Sequence, residues 1–102
     1  MGLQVLPPLL LRTTRLGHLV TLNLRGNALQ LLPSEFFLRL PLLQEFHANS
    51  NKLAYLPETI GVLSELRILH MKDNCLQTLP DGLFRLKNLE DLDLGYNSLV
   101  RL

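Results

Sequence analysis

The chain has 102 residues, of which 47% are hydrophobic, and ten Lys and Arg side chains against nine Asp and Glu leave a formal charge of +1. This length and composition predict one domain with enough apolar material for a core, and the charge balance disfavours nucleic acid as a partner, which would require a basic stripe. The lone cysteine, Cys75, excludes an internal disulfide framework, and the sequence has no N-x-Ser/Thr glycosylation motif, so a cytoplasmic location is favoured.

The N-terminal segment, residues 1–18, is predicted to be a partial repeat. Its apolar stretch at residues 3–11 lacks the basic start and the small-residue cleavage site of a signal peptide, and it is too short to span a bilayer. Myristoylation would need Ser or Thr at the sixth position, which is Leu6. Leu3, Leu6 and Pro7 instead have the spacing of a leucine-x-x-leucine-proline segment that recurs along the chain, so we expect no membrane association.

An internal repeat follows, marked by four asparagines at intervals of 24, 23 and 23 residues: Asn27, Asn51, Asn74 and Asn97. Before each asparagine, apolar and variable residues alternate as in a short strand with one buried face. Successive strands would pair in one parallel sheet, because no single repeat can bury its apolar face alone. The asparagine amides carry donors and acceptors and are predicted to satisfy backbone groups where each strand ends. The predicted boundaries are 19–42, 43–65 and 66–88 for full repeats, and 89–102 for a truncated one.

The shared frame, L-x-x-L-x-L-x-x-N-x-L, resembles that of the leucine-rich repeat family over residues 19–102. The 23-residue spacing and the segments LPETIGVLSELRIL and LPDGLFRLKNLEDL are similar to its intracellular class, which includes Ras-pathway scaffolds, Ras suppressor proteins and the arrays of epithelial polarity scaffolds. The resemblance implies an α/β fold: a right-handed solenoid that forms a curved horseshoe segment. Short parallel strands would lie on its concave face, and irregular, 3₁₀ or short helical segments on its convex side.

The return segments along the convex side begin at Pro33, Pro57 and Pro80. Proline fixes φ and lacks an N–H, which excludes a central strand and suits short helical or 3₁₀ turns. The first return is one residue longer than the others, and the extra residue is expected to bulge outward, with Phe37 or Leu38 partly on the surface. Apolar residues at fixed distances from the prolines are predicted to complete the core: Leu10 or Leu11, Leu16, Phe36, Leu40, Ile60, Leu63, Leu83 and Leu86.

Outward residues of the strands would line the concave face, where core packing does not constrain them. Equivalent positions on neighbouring strands lie about 4.8 Å apart and so form columns of adjacent side chains. Glu90, Asp91 and Asp93 make the C-terminal end acidic, and a partner offering it a basic or amphipathic segment is expected. Binding by this chain alone is expected to be weak, because a standard interface uses ~20 to 30 residues on each side. The predicted binding residues are Arg25, Glu45, His47, Asn49, Ile68, His70, Lys72, Asp91, Asp93 and Tyr96.

Two features of the sequence raise the possibility of metal binding or catalysis. His47 and His70 would be neighbours with Asp93 one strand further, which matches a His-His-carboxylate metal site. Nothing in the sequence supplies a second shell to orient them, so we predict no metal and no other cofactor; protonation of the imidazole pair would still make binding modestly pH-dependent. Cys75 would need a base and an oxyanion site to act as a nucleophile, and neither is evident, so no enzymatic activity is predicted.

The resemblance implies a non-enzymatic protein-binding module of intracellular signalling or scaffolding, whose partner the sequence does not identify. One alternative is the recognition segment of a larger enzyme, such as a ubiquitin ligase, kinase or phosphatase, with its catalytic domain outside this chain. Solenoids normally carry polar capping repeats, whereas both ends here are abrupt and residues 92–94 would form an unpaired apolar strand edge. A fragment of a longer array, or self-association through the uncapped ends, is therefore also expected.

Overall fold

Strands and return segments alternate along the chain at the repeat spacing. The computed structural model describes residues 16–99. In that part of the chain, the strands β1 (Thr21–Asn23), β2 (Glu45–His47), β3 (Ile68–His70) and β4 (Asp91–Asp93) form one four-stranded sheet in that order, with all neighbouring strands parallel. Between them lie the helix α1 (Ser34–Leu38) and two 3₁₀ helices, η1 (Glu58–Val62) and η2 (Asp81–Arg85). The predicted α/β repeat solenoid is thereby confirmed.

Some predictions concern residues outside this range. The partial repeat with Leu3, Leu6 and Pro7, the core positions Leu10 and Leu11, and the last leucine of the frame, Leu102, lie beyond the described residues. The boundaries 19–42, 43–65, 66–88 and 89–102 stay predictions.

The pairing of the strands stacks their inward side chains from coil to coil. Leu22 pairs with Phe46, Phe46 with Leu69, and Leu69 with Leu92. Phe46 and Leu69 are completely buried, because each has a coil on either side. β4 is the outermost strand of the described sheet, and Leu92 remains 42% exposed. Of the apolar edge expected at residues 92–94, Leu92 is exposed within the described chain, whereas Leu94 packs partly against the core.

The convex half of the core forms as the proline spacing predicts. Pro33, Pro57 and Pro80 each immediately precede a helical segment and have extended backbone conformations. The apolar residues that follow them are buried against the inward residues of the sheet, and Leu16 is partly buried at the start of the described chain. The buried positions are Phe36, Leu40, Ile60, Leu63, Leu83 and Leu86.

The first return segment accommodates its extra residue in an α-helical turn, where the later returns use 3₁₀ turns. Of the two residues named as candidates for the surface, Leu38 is the one that lies outward, at 57% exposure, and Phe37 is completely buried. Its ring lies 5.4 Å from Phe36 and 5.6 Å from Phe46, measured between centroids. Burying an aromatic ring is worth about 1.5–3 kcal/mol, so the helix turns the extra residue into the core.

Two glycines allow η1 and η2 to pack closely. A Cβ atom on Gly61 would lie 3.0 Å from the Cα atom of Gly82, and a Cβ atom on Gly82 would collide with the carbonyl oxygen of Glu58. Backbone groups cannot move aside as a flexible side chain can. The close spacing of these two coils on the convex side therefore depends on glycine at both positions.

Candidate functional site

The candidate site is the concave face of the sheet, built from the outward side chains of the strands and the residues just after them. The strand register aligns Glu45 with Ile68, and Ile68 with Asp91. It also aligns His47 with His70, and His70 with Asp93. These side chains are partly or largely exposed, whereas the residue between them on each inner strand is buried. Two adjacent columns of side chains therefore run across the coils.

The first column lines a shallow cavity of about 230 Å³. Beside it, Arg67 Nε donates a 2.8 Å hydrogen bond to Glu90 Oε2 across the coils. This hydrogen bond, together with the opposite charge, lowers the pKa of Glu90 and raises the pKa of Arg67. The Glu90 carboxylate is thus bound by Arg67, which also lines the cavity, and Glu45 and Asp91 are the other two carboxylates there.

A hydrogen-bonded array of two imidazoles from the second column and two carboxylates from the first joins the two columns. Glu45 Oε1 lies 3.2 Å from His47 Nε2, the two Nδ1 atoms of His47 and His70 lie 3.2 Å apart, and His70 Nε2 lies 3.0 Å from Asp91 Oδ2. The rings meet edge to face with centroids 4.9 Å apart. Both histidine side chains are about one-quarter exposed, at 24% and 25%. The array is therefore accessible to a partner.

The array has three contacts that a ring proton could bridge. Each carboxylate accepts a hydrogen bond only if the Nε2 atom facing it carries a proton, and a single proton fits between the two Nδ1 atoms. Two neutral rings carry two ring protons between them, so two of the three contacts can be hydrogen bonds in that state.

The array corrects the geometry expected for a metal site. The carboxylate beside His70 is that of Asp91 and not that of Asp93, whose Oδ1 accepts the N–H of Gly95 at 2.9 Å. Glu45 and Asp91 also supply the orienting partners that the sequence did not reveal. Among the described residues, no group of three or more His, Cys, Asp or Glu side chains is placed to hold a metal ion.

A third column, at the end of the strands, forms a separate polar pocket of about 440 Å³. Asn49 Oδ1 accepts the backbone N–H of Lys72 at 2.7 Å, which fixes the side-chain amide across two coils. Lys72 Nζ lies 5.2 Å from the ring centroid of Tyr96, a cation–π contact, and Tyr96 is 79% exposed. The residues that line this pocket are Arg25, Asn49, Ser50, Lys72, Asp73 and Tyr96.

Left-handed turns carry the chain away from this pocket. Gly26, Ser50, Asp73 and Tyr96 all have positive φ, at 75°, 61°, 61° and 52°. The N–H groups of the first three donate to carbonyl oxygens at the end of the next strand. These three N–H groups are consequently used in coil-to-coil hydrogen bonds, and the pocket is lined by side chains.

Beneath these turns, the asparagine side chains link successive coils. Asn74 Nδ2 donates to the carbonyl oxygens of Ala48 and Met71 at 3.0 Å, and Asn74 Oδ1 accepts the N–H of Leu53 at 3.1 Å. Asn51 makes the equivalent contacts one coil earlier, and Asn97 one coil later. Asn27 Nδ2 donates to the carbonyl oxygen of Leu24 at 2.9 Å.

Cys75, the other residue that the sequence analysis considered for chemistry, is exposed and its thiol is free. Sequence reasoning missed Arg67, which contributes to the first cavity and pairs with Glu90. The signal was available, because these two residues are separated by one repeat length, 23 residues, and carry opposite charges.

Sequence profiles of known families match both ends of the described chain. A profile described as "Leucine rich repeat" matches residues 64–102, and a second, "Leucine Rich Repeat", matches residues 18–40. The chain belongs to the leucine-rich repeat family. Relatives of this leucine-rich repeat chain include the disease resistance protein RPS5 of Arabidopsis thaliana, 37% identical over 81 residues and 78% of the chain. The flightless-1 homolog of Caenorhabditis elegans is 36% identical over 102 residues and 98% of the chain.

Solved leucine-rich repeat structures share the fold. A leucine-rich repeat protein of Leptospira interrogans superposes with a TM-score of 0.72 at 32% identity, covering 99% of this chain and 31% of that one. A chain from the BIR3–SERK2 complex of Arabidopsis thaliana gives a TM-score of 0.70 at 34% identity, covering 76% and 43%. This chain spans 9% of the RPS5 protein and 8% of the flightless-1 homolog. None of the described helices is long and apolar enough to cross a membrane.

Proposed function

We propose that this leucine-rich repeat chain is a non-enzymatic module that docks another protein on the concave face of its sheet, in intracellular signalling or scaffolding. The observation that carries the proposal is that the fold exposes this face without using it for its core. Inward leucines and asparagines hold the coils together, while outward residues such as Ile68 and His70 remain accessible. Leucine-rich repeat proteins mediate protein–protein interaction, and one structural neighbour was crystallised in a complex.

The first column indicates the chemistry of the docked segment. Ile68 lies between Glu45 and Asp91 on successive strands, about 4.8 Å from each. An apolar side chain flanked by two basic groups would match this order, which is the pattern of an amphipathic basic segment. We therefore propose that such a segment binds the first column, with Glu45 and Asp91 as the anionic residues. Glu90, which the sequence analysis included in the acidic end, is paired with Arg67.

A substitution at the centre of the face tests the docking proposal against a matched control. Ile68→Lys places a cation in the first column, and Val62→Lys places one at a residue of η1 that is 48% exposed on the convex side. Both variants exchange a β-branched aliphatic side chain for lysine. Affinity purification with the wild-type chain and with each variant, followed by quantitative mass spectrometry, compares the proteins that they retain, and circular dichroism verifies that both variants fold.

Docking on the concave face predicts proteins that are retained by the wild type and by Val62→Lys and lost by Ile68→Lys. An Ile68→Lys variant that folds and retains the same proteins would refute the proposal. Loss of those proteins from Val62→Lys alone would place the interaction on the convex side, with the same consequence.

The alternative proposal is a recognition segment within a larger enzyme, such as a ubiquitin ligase, kinase or phosphatase. It is supported by the small share, 9% and 8%, that this chain covers of its first relatives. An in-frame transcript extension that encodes a catalytic domain would establish it.

Self-association is a further proposal, supported by the exposed apolar side chain of Leu92 on the outermost described strand. Light scattering that shows a strictly monomeric protein at high concentration would exclude it. We also propose a cytoplasmic location, which the exposed free thiol of Cys75 supports.

A further inference from the structure

The pocket in the third column has an excess of positive charge. Arg25 and Lys72 line it together with one acid, Asp73, and neither cation forms an ion pair within residues 16–99. This contrasts with the first column, where the Arg67 guanidinium is bound to Glu90. The two cations thus keep their charge available to a ligand.

Hydrogen-bond donors from three neighbouring coils line this pocket. Arg25 and Lys72 follow β1 and β3, so about 10 Å separates their backbones, with Asn49 between them. Because Asn49 Oδ1 is held by the backbone N–H of Lys72, the Asn49 amino group remains as a donor, and it makes no hydrogen bond to the described residues. The contact with the Tyr96 ring holds the Lys72 ammonium at the rim. Two cations around an amide donor form a site for an anion.

We propose that this pocket binds the carboxylate of an acidic side chain in the docked segment. This inference rests on the proposed function, because the segment in the pocket is the one that also contacts Glu45, along the same coil. An internal Asp or Glu side chain lets that segment extend over the face on both sides of the pocket, whereas a C-terminal carboxylate lets it extend on one side alone. The volume of about 440 Å³ accommodates a side chain of this size.

The same geometry gives a spacing rule for the partner. Glu45 and Asn49 are four residues apart along one coil, which is about 13 Å of extended chain. A segment that runs along the strand direction would therefore place a basic residue and an acidic residue about 13 Å apart, or about four residues apart if it is extended. The concave face would select its partner by this pair of opposite charges.

Short peptides test the pocket without knowledge of the partner. The probes are acetyl-Gly-Gly-Asp-Gly-Gly-amide, its Asn counterpart, and acetyl-Gly-Gly-Gly with a free C-terminus. Each is titrated into the ¹⁵N-labelled full chain, and the backbone amides of Ser50, Asp73 and Tyr96 and the side-chain amide of Asn49 are followed. The Asp peptide is expected to shift these signals in a saturable manner, and the Asn peptide is expected to leave them unchanged.

Charge variants then assign the effect to the pocket. Arg25→Gln and Lys72→Gln should each weaken binding of the Asp peptide about two- to fivefold, because each removes one exposed ion pair. Asp73→Asn removes the competing carboxylate and is expected to tighten binding by a similar factor. Lys52→Gln removes an exposed cation that does not line the pocket and is the matched control.

Equal shifts with the Asn peptide, or unchanged affinity in both Arg25→Gln and Lys72→Gln, would overturn the proposal. Saturable shifts with the free C-terminus and none with the Asp peptide would also overturn it. The peptide titration can fail independently of the docking experiment. If Ile68→Lys abolishes partner retention while the Asp peptide causes no shift, docking stands and the carboxylate pocket falls.

Discussion

The hydrogen bonds of the Asn74 side chain should contribute strongly to the stability of the fold. Asn74 is 8% exposed and joins two coils through its donor and acceptor atoms. In Asn74→Ala, the carbonyl oxygens of Ala48 and Met71 each keep one amide donor, from Asn51 and Asn97 respectively, both at 3.0 Å. The N–H group of Leu53 loses the acceptor that the structure shows for it, and Leu53 is completely buried.

The expected cost follows from these contacts. A buried donor without an acceptor costs about 1–3 kcal/mol, and loss of two further hydrogen bonds costs about 0.5–1.5 kcal/mol each. Asn74→Ala should therefore lower the free energy of unfolding by about 2–6 kcal/mol, which is a large part of the stability of a small domain. Urea unfolding followed by circular dichroism measures this difference. The neighbouring substitution Cys75→Ala, at an exposed position, should change stability by no more than about 0.5 kcal/mol. If Asn74→Ala lost less than about 1 kcal/mol, the coil-to-coil role of this amide would be refuted.

Two further predictions concern the convex packing and an exposed ion pair. Gly82→Ala should destabilise the chain by about 1–3 kcal/mol, because its methyl group meets the carbonyl oxygen of Glu58, whereas Gly17→Ala, whose Cβ would have no neighbour within 4 Å, should be close to neutral in thermal unfolding. Because Arg67 lowers the pKa of Glu90 in the folded chain, the pair stabilises the fold above the ordinary glutamate pKa of about 4.3 and loses this effect as the pH falls through the lower, folded value. The stability difference between wild type and Glu90→Gln should accordingly be small, sensitive to salt, and absent at the acid end of a pH series; a difference that grew on acidification would contradict the sign.

Much of the fold could be predicted from the sequence because each repeat imposes the same constraints. The alternation around Leu22, Phe46 and Leu69 determines which side of each strand is buried, and the repeat spacing then sets the register of the sheet. Phe37 could not be placed in this way, because the choice between an α-helical and a 3₁₀ turn depends on the space left beside Phe36 and Phe46.

The candidate site shows a similar limit. The register correctly predicts that His47 and His70 are neighbours. It does not predict that the His70 ring reaches diagonally to Asp91 instead of to Asp93, its partner in the register. The columns follow from the repeat spacing, which fixes the backbone register. Hydrogen bonds between side chains also depend on the side-chain torsion angles, which the spacing does not determine.

The three phenylalanine rings make the coils unequal. Phe36, Phe37 and Phe46 are concentrated where the first two described coils meet, while the inward leucine of β4 is 42% exposed. In a repeat protein each coil is stabilised by its neighbours. An uneven distribution of buried side chains therefore makes the free energy of local unfolding differ from coil to coil. Among the described residues, local opening is therefore expected to be easier around Asp91 in β4 than around the three aromatic rings.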